Sequence, residues 1–124
     1  MSGVRRLSVP LLGALAVAAA LVLAGCGGGG GGGQAEAAPV TGVTQVAAKD
    51  NRFSPGAIQV PAGTTVTWTF EDGLIPHDVK GDSFSSGEPR RDGSFTHTFD
   101  RPGTYPYRCT LHDGMDGRVV VTGS

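Results

Sequence analysis

The sequence predicts an all-β domain, an antiparallel sandwich or barrel of about seven to eight short strands. Three observations predict it. Beyond Val40 the apolar residues recur at every second position, as they do on a half-buried strand. Pro and Gly turn signals punctuate that region at close spacing. No stretch of it carries the three-to-four-residue periodicity of an amphipathic helix.

Taken in order, Val43–Ala48 and Ala57–Val60 are the weaker strand candidates. Pro61-Ala62-Gly63 then turns the chain into Thr64–Phe70, where Val66, Trp68 and Phe70 alternate with threonines. Asp72-Gly73 marks another turn, shortly before Ile75-Pro76-His77. The run Gly87–Gly93 reads as an exposed loop, its Arg90 and Arg91 either solvated or a docking patch. Ser94–Phe99 places Phe95, His97 and Phe99 on one strand face. In Arg101-Pro102-Gly103-Thr104, Pro and Gly stand where a type II turn wants them. Tyr105 and Tyr107 alternate towards Cys109. Pro106 between them has no N–H for a ladder, so it belongs at an edge, a bulge or a solvent-facing position. Gly117–Thr122 makes the final strand.

A chain of 124 residues accommodates one such domain, and a net charge of −1 leaves no basic footprint for nucleic acid. Ten of the 21 glycines lie at or before residue 33, seven of them in Gly27–Gly33, whereas all eight aromatics fall between Phe53 and Tyr107. The chain therefore divides in three. Residues 1–25 are a secretory signal: Arg5 and Arg6 precede the uncharged run Leu11–Leu23, shorter than the ~20 residues a transmembrane helix needs. Leu23-Ala24-Gly25-Cys26 resembles the lipobox of bacterial lipoproteins, which makes Cys26 the acylated N-terminus of the mature chain. Residues 26–41, rich in Gly and Ala, cannot bury apolar area and form a flexible tether. Residues 42–124 are the folded domain. Removing the signal takes away two arginines and no acid, leaving a mildly acidic protein outside the cytoplasm. It is lipid-anchored to the outer face of the cell membrane, or lies in the periplasm or outer membrane of an organism that has one.

The domain holds a single Cys, three His and a single Met besides the initiator. Four of these five belong to one pattern: Cys109-Thr-Leu-His112-Asp-Gly-Met115, with His77 upstream. A thiolate, two imidazoles and a weak thioether form the ligand set of a blue-copper site. The thiolate and imidazoles hold both Cu(II) and Cu(I), and a long axial thioether bond asks little of either state. A short loop closing two strands can bring Cys109, His112 and Met115 onto one ion, with His77 completing the set from a neighbouring loop. The alternative for Cys109 is a disulfide with Cys26, against which the lipobox and the glycine run argue. His97 shares a face with Phe95 and Phe99 and is read as structural.

The segments Val60–Trp68, Pro76-His-Asp-Val79, Phe99–Tyr107 and Cys109–Met115 resemble the cupredoxins, in particular the amicyanin, pseudoazurin and plastocyanin group. The likeness covers about residues 43–122. It implies a Greek-key β-sandwich, one type 1 copper held by His77, Cys109, His112 and Met115, and one-electron transfer between a redox-protein donor and acceptor, by a protein expected to be a monomer. Members usually carry Asn after the first His, where it joins the two ligand loops. Here that residue is Asp78, whose charge favours Cu(II) and whose backbone N–H is placed to reach the Cys109 sulfur. The Pro often found before the second His is Leu111 here, which implies a less rigid loop.

Three functions compete. A tethered electron carrier comes first, and a protein for copper buffering or delivery second. An enzyme comes last: oxidases related to this family need many more His for a second copper centre, and a binuclear site needs a second thiolate.

Overall fold

The computed structural model describes residues 37–123. The signal, Cys26 and most of the proposed tether lie outside the described residues. Among those described there are nine strands and no helix: β1 (Val40–Thr41), β2 (Gln45–Lys49), β3 (Arg52–Ser54), β4 (Ala57–Pro61), β5 (Thr64–Phe70), β6 (Lys80–Gly81), β7 (Ser94–Phe99), β8 (Gly103–Arg108) and β9 (Asp116–Thr122). They form two sheets, ordered β1-β4-β9-β8-β6 and β3-β2-β5-β7.

The sandwich is as expected, but the sheets are mixed rather than purely antiparallel: β1 with β4, β4 with β9 and β2 with β5 run parallel. The cause is the chain path. After β4 the turn at Pro61-Ala62-Gly63 carries the chain from one sheet to the other instead of reversing it within one. That turn is pinned to both sheets, because the Ala62 N–H donates to Thr122 O at 2.8 Å and the Gly63 N–H to Phe99 O at 2.7 Å. Gly63 takes φ +89°, a left-handed conformation for which a side chain is penalised.

Period-two alternation sets what is buried. Val66, Trp68 and Phe70 of β5 face inwards, as do Gly117, Val119 and Val121 of β9. Trp68 is the centre of the core, fully buried, with Phe84, Phe95, Phe99 and Tyr107 packed around it at ring-centroid distances of 5.3–6.3 Å. Each large apolar side chain so buried contributes about 1.5–3 kcal/mol.

Three elements have no counterpart in the sequence reading. β3 pairs back on β2 through Asp50 and Asn51, which take φ +52° and +56°. This two-residue hairpin uses the residues that best tolerate the left-handed region after Gly. β1 and β6 are two-residue strands made by sheet pairing rather than by any sequence pattern. Val40–Thr41, at the end of the stretch read as tether, thus pairs with β4. Gly103 has φ +154°, far wider than the +80° of a type II turn, and it opens β8 directly. The bend before it is closed instead by the Tyr105 hydroxyl donating to Arg101 O at 2.7 Å. Pro106 sits opposite Arg118 of β9, in the part of β8 that lies past the short β6.

Candidate metal centre

The site lies at one end of the sandwich, where β8 gives way to β9 and where the β5–β6 connection passes. Cys109 directly follows β8, and Met115 directly precedes β9. The loop between them is closed on itself: the Cys109 N–H donates to Met115 O at 2.9 Å, and the Met115 N–H to His112 O at 3.3 Å. Cys109 and Met115 are buried, His112 is half-buried and Leu111 beside it is exposed.

His77 comes from the other connection and is completely buried. Its backbone is clamped to the Gly87–Gly93 stretch, its N–H donating to Arg90 O at 2.9 Å and its O accepting from Arg90 N–H at 2.8 Å. That stretch is thus a partner of the site loop as well as a surface segment. The Arg90 guanidinium is also committed, donating to Ser94 O at 2.8 Å and Ser86 O at 3.0 Å and lying over the Phe70 ring. Arg90 is therefore a structural clamp.

The structure brings His77, Cys109 and His112 together, with one donor atom from each within 4.8 Å of the others. Cys109 Sγ is 3.9 Å from His77 Nδ1, and the two imidazole rings are 4.9 Å apart between centroids. A free, buried thiol facing two imidazoles, with a buried thioether closing the same loop, fits copper in either oxidation state. His97 is elsewhere, stacked on Phe84 at 4.9 Å and edge-on to Phe99 at 4.8 Å, as its strand face predicted.

The groups behind these side chains orient them. His77 Nε2 lies 2.9 Å from Asp72 Oδ2. An ionised carboxylate only accepts, so Nε2 is the donor of this contact, and Nδ1 is the ring nitrogen on the Cys109 side. The same contact is the largest cause holding the Asp72 carboxyl below its ordinary value. His112 Nε2 contacts Pro76 O at 3.3 Å, which leaves its own Nδ1 free. Asp78 joins the two loops through its side chain: Thr110 donates its backbone N–H to Oδ1 at 2.6 Å and its hydroxyl to Oδ2 at 2.5 Å. Burial raises the Cys109 thiol above its ordinary value, while the backbone N–H groups of Asp78 and Leu111 act in the opposite direction.

Asp72, Thr110 and Arg90 had no place in the sequence reading of the site. Asp72 carried one usable signal, an acid in a turn five residues before a ligand-type His; the other two act through pairings that only the fold creates.

Residues 40–122 match the family of copper binding proteins described as plastocyanin/azurin. The chain is similar to amicyanin-alpha of Methylorubrum extorquens, with 36% identity over 118 residues, covering 87% of this chain and 98% of that protein. Among solved structures it is similar to a purple cupredoxin from Nitrosopumilus maritimus, with a TM-score of 0.59 at 30% identity, covering 64% of this chain and all of that one. A reduced amicyanin mutant superposes with a TM-score of 0.58 at 30% identity, covering 73% of this chain and 90% of that one. With the donor set, the two-sheet sandwich and a match across nearly all the described residues, the chain belongs to the plastocyanin/azurin family of copper-binding proteins.

Proposed function

We propose that the protein is a membrane-tethered type 1 copper protein that passes single electrons between redox proteins outside the cytoplasm. His77, Cys109, His112 and Met115 are its copper ligands. The observation that carries this reading is the convergence of one thiol and two imidazoles within 4.8 Å at the end of a rigid sandwich. Copper held by these four side chains would supply a one-electron couple between Cu(II) and Cu(I). The chain's own contribution is to hold its donors still. Both ends of the ligand loop are strand ends, the loop is internally hydrogen-bonded, and His77 is clamped by Arg90 and Asp72.

The exposure pattern supports transfer at a surface. His112 is the half-buried member of the set, and Leu74, Ile75 and Leu111 nearby in the chain are exposed at 86%, 37% and 45%. Exposed apolar residues beside a metal-ligating side chain suit a partner that must dock closely and leave again. Attachment rests on Leu23-Ala24-Gly25-Cys26: acylated Cys26 and the stretch between it and β1 keep the domain near a membrane. Among the described residues no helix is long and apolar enough to cross one.

The test is the visible and paramagnetic resonance spectrum of the full-length protein with Cu(II). An intense blue thiolate band with narrow copper hyperfine splitting is expected, lost in Cys109→Ala and kept in His97→Ala. A colourless wild type, or bleaching by His97→Ala, overturns the ligand set. Fractionation of cells expressing Cys26→Ser, which should no longer attach by acylation, tests the tether. Rapid loss of copper to an acceptor protein without electron exchange would point to delivery.

A further inference from the structure

Asp72 occupies an unusual place. It belongs to the turn after β5, it is not part of the ligand motif, and one of its oxygens serves two donors from different parts of the fold. Oδ2 accepts from His77 Nε2 at 2.9 Å and from the Asp50 backbone N–H at 3.1 Å. Asp50 is at the tip of the β2–β3 hairpin, with φ +52°. The carboxylate therefore bridges the hairpin and the buried imidazole, and its own position is fixed from the hairpin side. The His77 side chain is fully buried and that of Asp72 is 14% exposed, so the contact is largely shielded from water.

Two consequences follow from elementary chemistry. A neutral imidazole has one N–H and one lone pair, and a carboxylate at Nε2 selects the form whose lone pair is on Nδ1. Nδ1 is the nitrogen 3.9 Å from Cys109 Sγ. A carboxylate behind a ligand imidazole also raises the basicity of that ligand, and basic donors favour the more highly charged metal ion.

We propose that Asp72 is a positioning residue for His77, which fixes the imidazole with Nδ1 turned to the metal and lowers the reduction potential of the site. The proposal rests on the copper reading above. The role also gives the hairpin tip a part in the site: the Asp50 N–H bonds the same carboxylate oxygen as His77 and helps hold it in place.

The experiment uses the full-length protein in copper-free and copper-loaded form, as wild type, Asp72→Asn, Asp72→Ala and Asp72→Glu. In the copper-free wild type, nitrogen NMR of His77 is expected to show the Nε2–H form, and Asp72→Ala is expected to lose that preference. In the loaded protein, Asp72→Asn keeps the shape and an acceptor oxygen but removes the charge. The oxidised-to-reduced equilibrium is expected to shift at least tenfold towards Cu(I), about 59 mV upwards, with the melting temperature near that of wild type. Asp72→Glu is expected to return the potential towards wild type. An Nδ1–H form in the copper-free wild type, or a wild-type potential in both Asp72→Asn and Asp72→Ala, overturns the proposal. A wild type lacking the blue band would overturn the copper reading instead, and the tautomer measurement would still decide the part played by Asp72.

Discussion

Asp78 and Thr110, each the residue directly after a cysteine or histidine of the site, are joined by two hydrogen bonds of 2.6 and 2.5 Å. The pair fastens the His77 loop to the Cys109 loop across 32 positions of sequence. Hydrogen bonds to a charged acceptor contribute about 1.5–3 kcal/mol each, and a partly buried donor left unpaired loses a comparable amount.

Thr110 is exposed, so water replaces part of what Asp78→Ala removes; the variant is expected to lower stability by about 1–3 kcal/mol and to speed loss of copper, both measured on the full-length protein. Asp78→Asn can still accept from the Thr110 N–H while losing its charge. It should melt near wild type with a higher reduction potential, because the carboxylate favours Cu(II). Equal melting temperatures for Asp78→Ala and wild type would show that the two loops are held by other contacts.

Gly117 makes a second test, this time of packing. It is paired with Tyr107, and a Cβ at residue 117 would stand 2.5 Å from Tyr107 Cζ. The ring cannot easily retreat, being edge-on to Phe53 at 4.8 Å and to Trp68 at 5.3 Å. Gly117→Ala is expected to cost about 1–3 kcal/mol through overpacking, read by denaturant unfolding. Residue 117 is two positions from Met115 and Tyr107 two from Cys109, so the strain should also reach the blue spectrum. An unchanged stability would mean that the core yields more readily than its packing implies.

Most of the sandwich was legible because period-two alternation and burial coincide in β5, β7 and β9. The short strands were not, since a two-residue strand such as β6 has no period and exists only because β8 is there to pair with. The convergence of Cys109 with His77 and His112 was legible because Cys and His are scarce in this domain and share one pattern with Met115. The groups that orient the donors were harder to see: Asp72 reaches His77 through a turn, and Arg90 reaches it through a backbone pairing. Polar residues with those roles look the same in sequence as solvated loop residues. Mixed sheet directions were hidden for a related reason, because alternation reports which face is buried and not which way a neighbour runs.

Burial of Cys109 gives a pH dependence with a definite sign. In the copper-free protein the thiol is raised above 9.0, so it is protonated at neutral pH, and metal binding as thiolate must expel a proton. Apparent Cu(II) affinity should rise about tenfold per pH unit between pH 7 and 9, measured by competition with a chelator. For folding, a raised value means that stability is fully present below the unfolded thiol's 9.0 and is lost as pH climbs through the folded value. Burial likewise raises Tyr107, whose effect begins above its ordinary 10.0 and has the same sign. Copper-free protein should thus melt progressively lower above pH 9, and Cys109→Ala should remove the earlier part of that loss. A flat profile up to pH 10 would show that the thiol is not disfavoured as a thiolate in the fold.

Met115 is the proposed ligand with the most specific electrochemical test. It is completely buried, and it closes the loop by accepting the Cys109 N–H at its backbone oxygen. That bond does not involve the side chain, so substitutions at the thioether leave the loop closure in place. A thioether is a weak donor, so its removal should leave His77, Cys109 and His112 holding the metal, with the blue band retained. Axial ligand identity tunes the potential of such sites. Met115→Leu withdraws donor density, which Cu(II) needs more than Cu(I), and the potential should rise. Met115→Gln supplies a harder oxygen that favours Cu(II), and the potential should fall. For one electron, about 59 mV corresponds to a tenfold change in the equilibrium, and shifts of at least that order with opposite signs are expected. Voltammetry on the three proteins at one pH makes the comparison. Two variants with the wild-type potential and an unchanged spectrum would show that the Met115 sulfur is only packing in the loop.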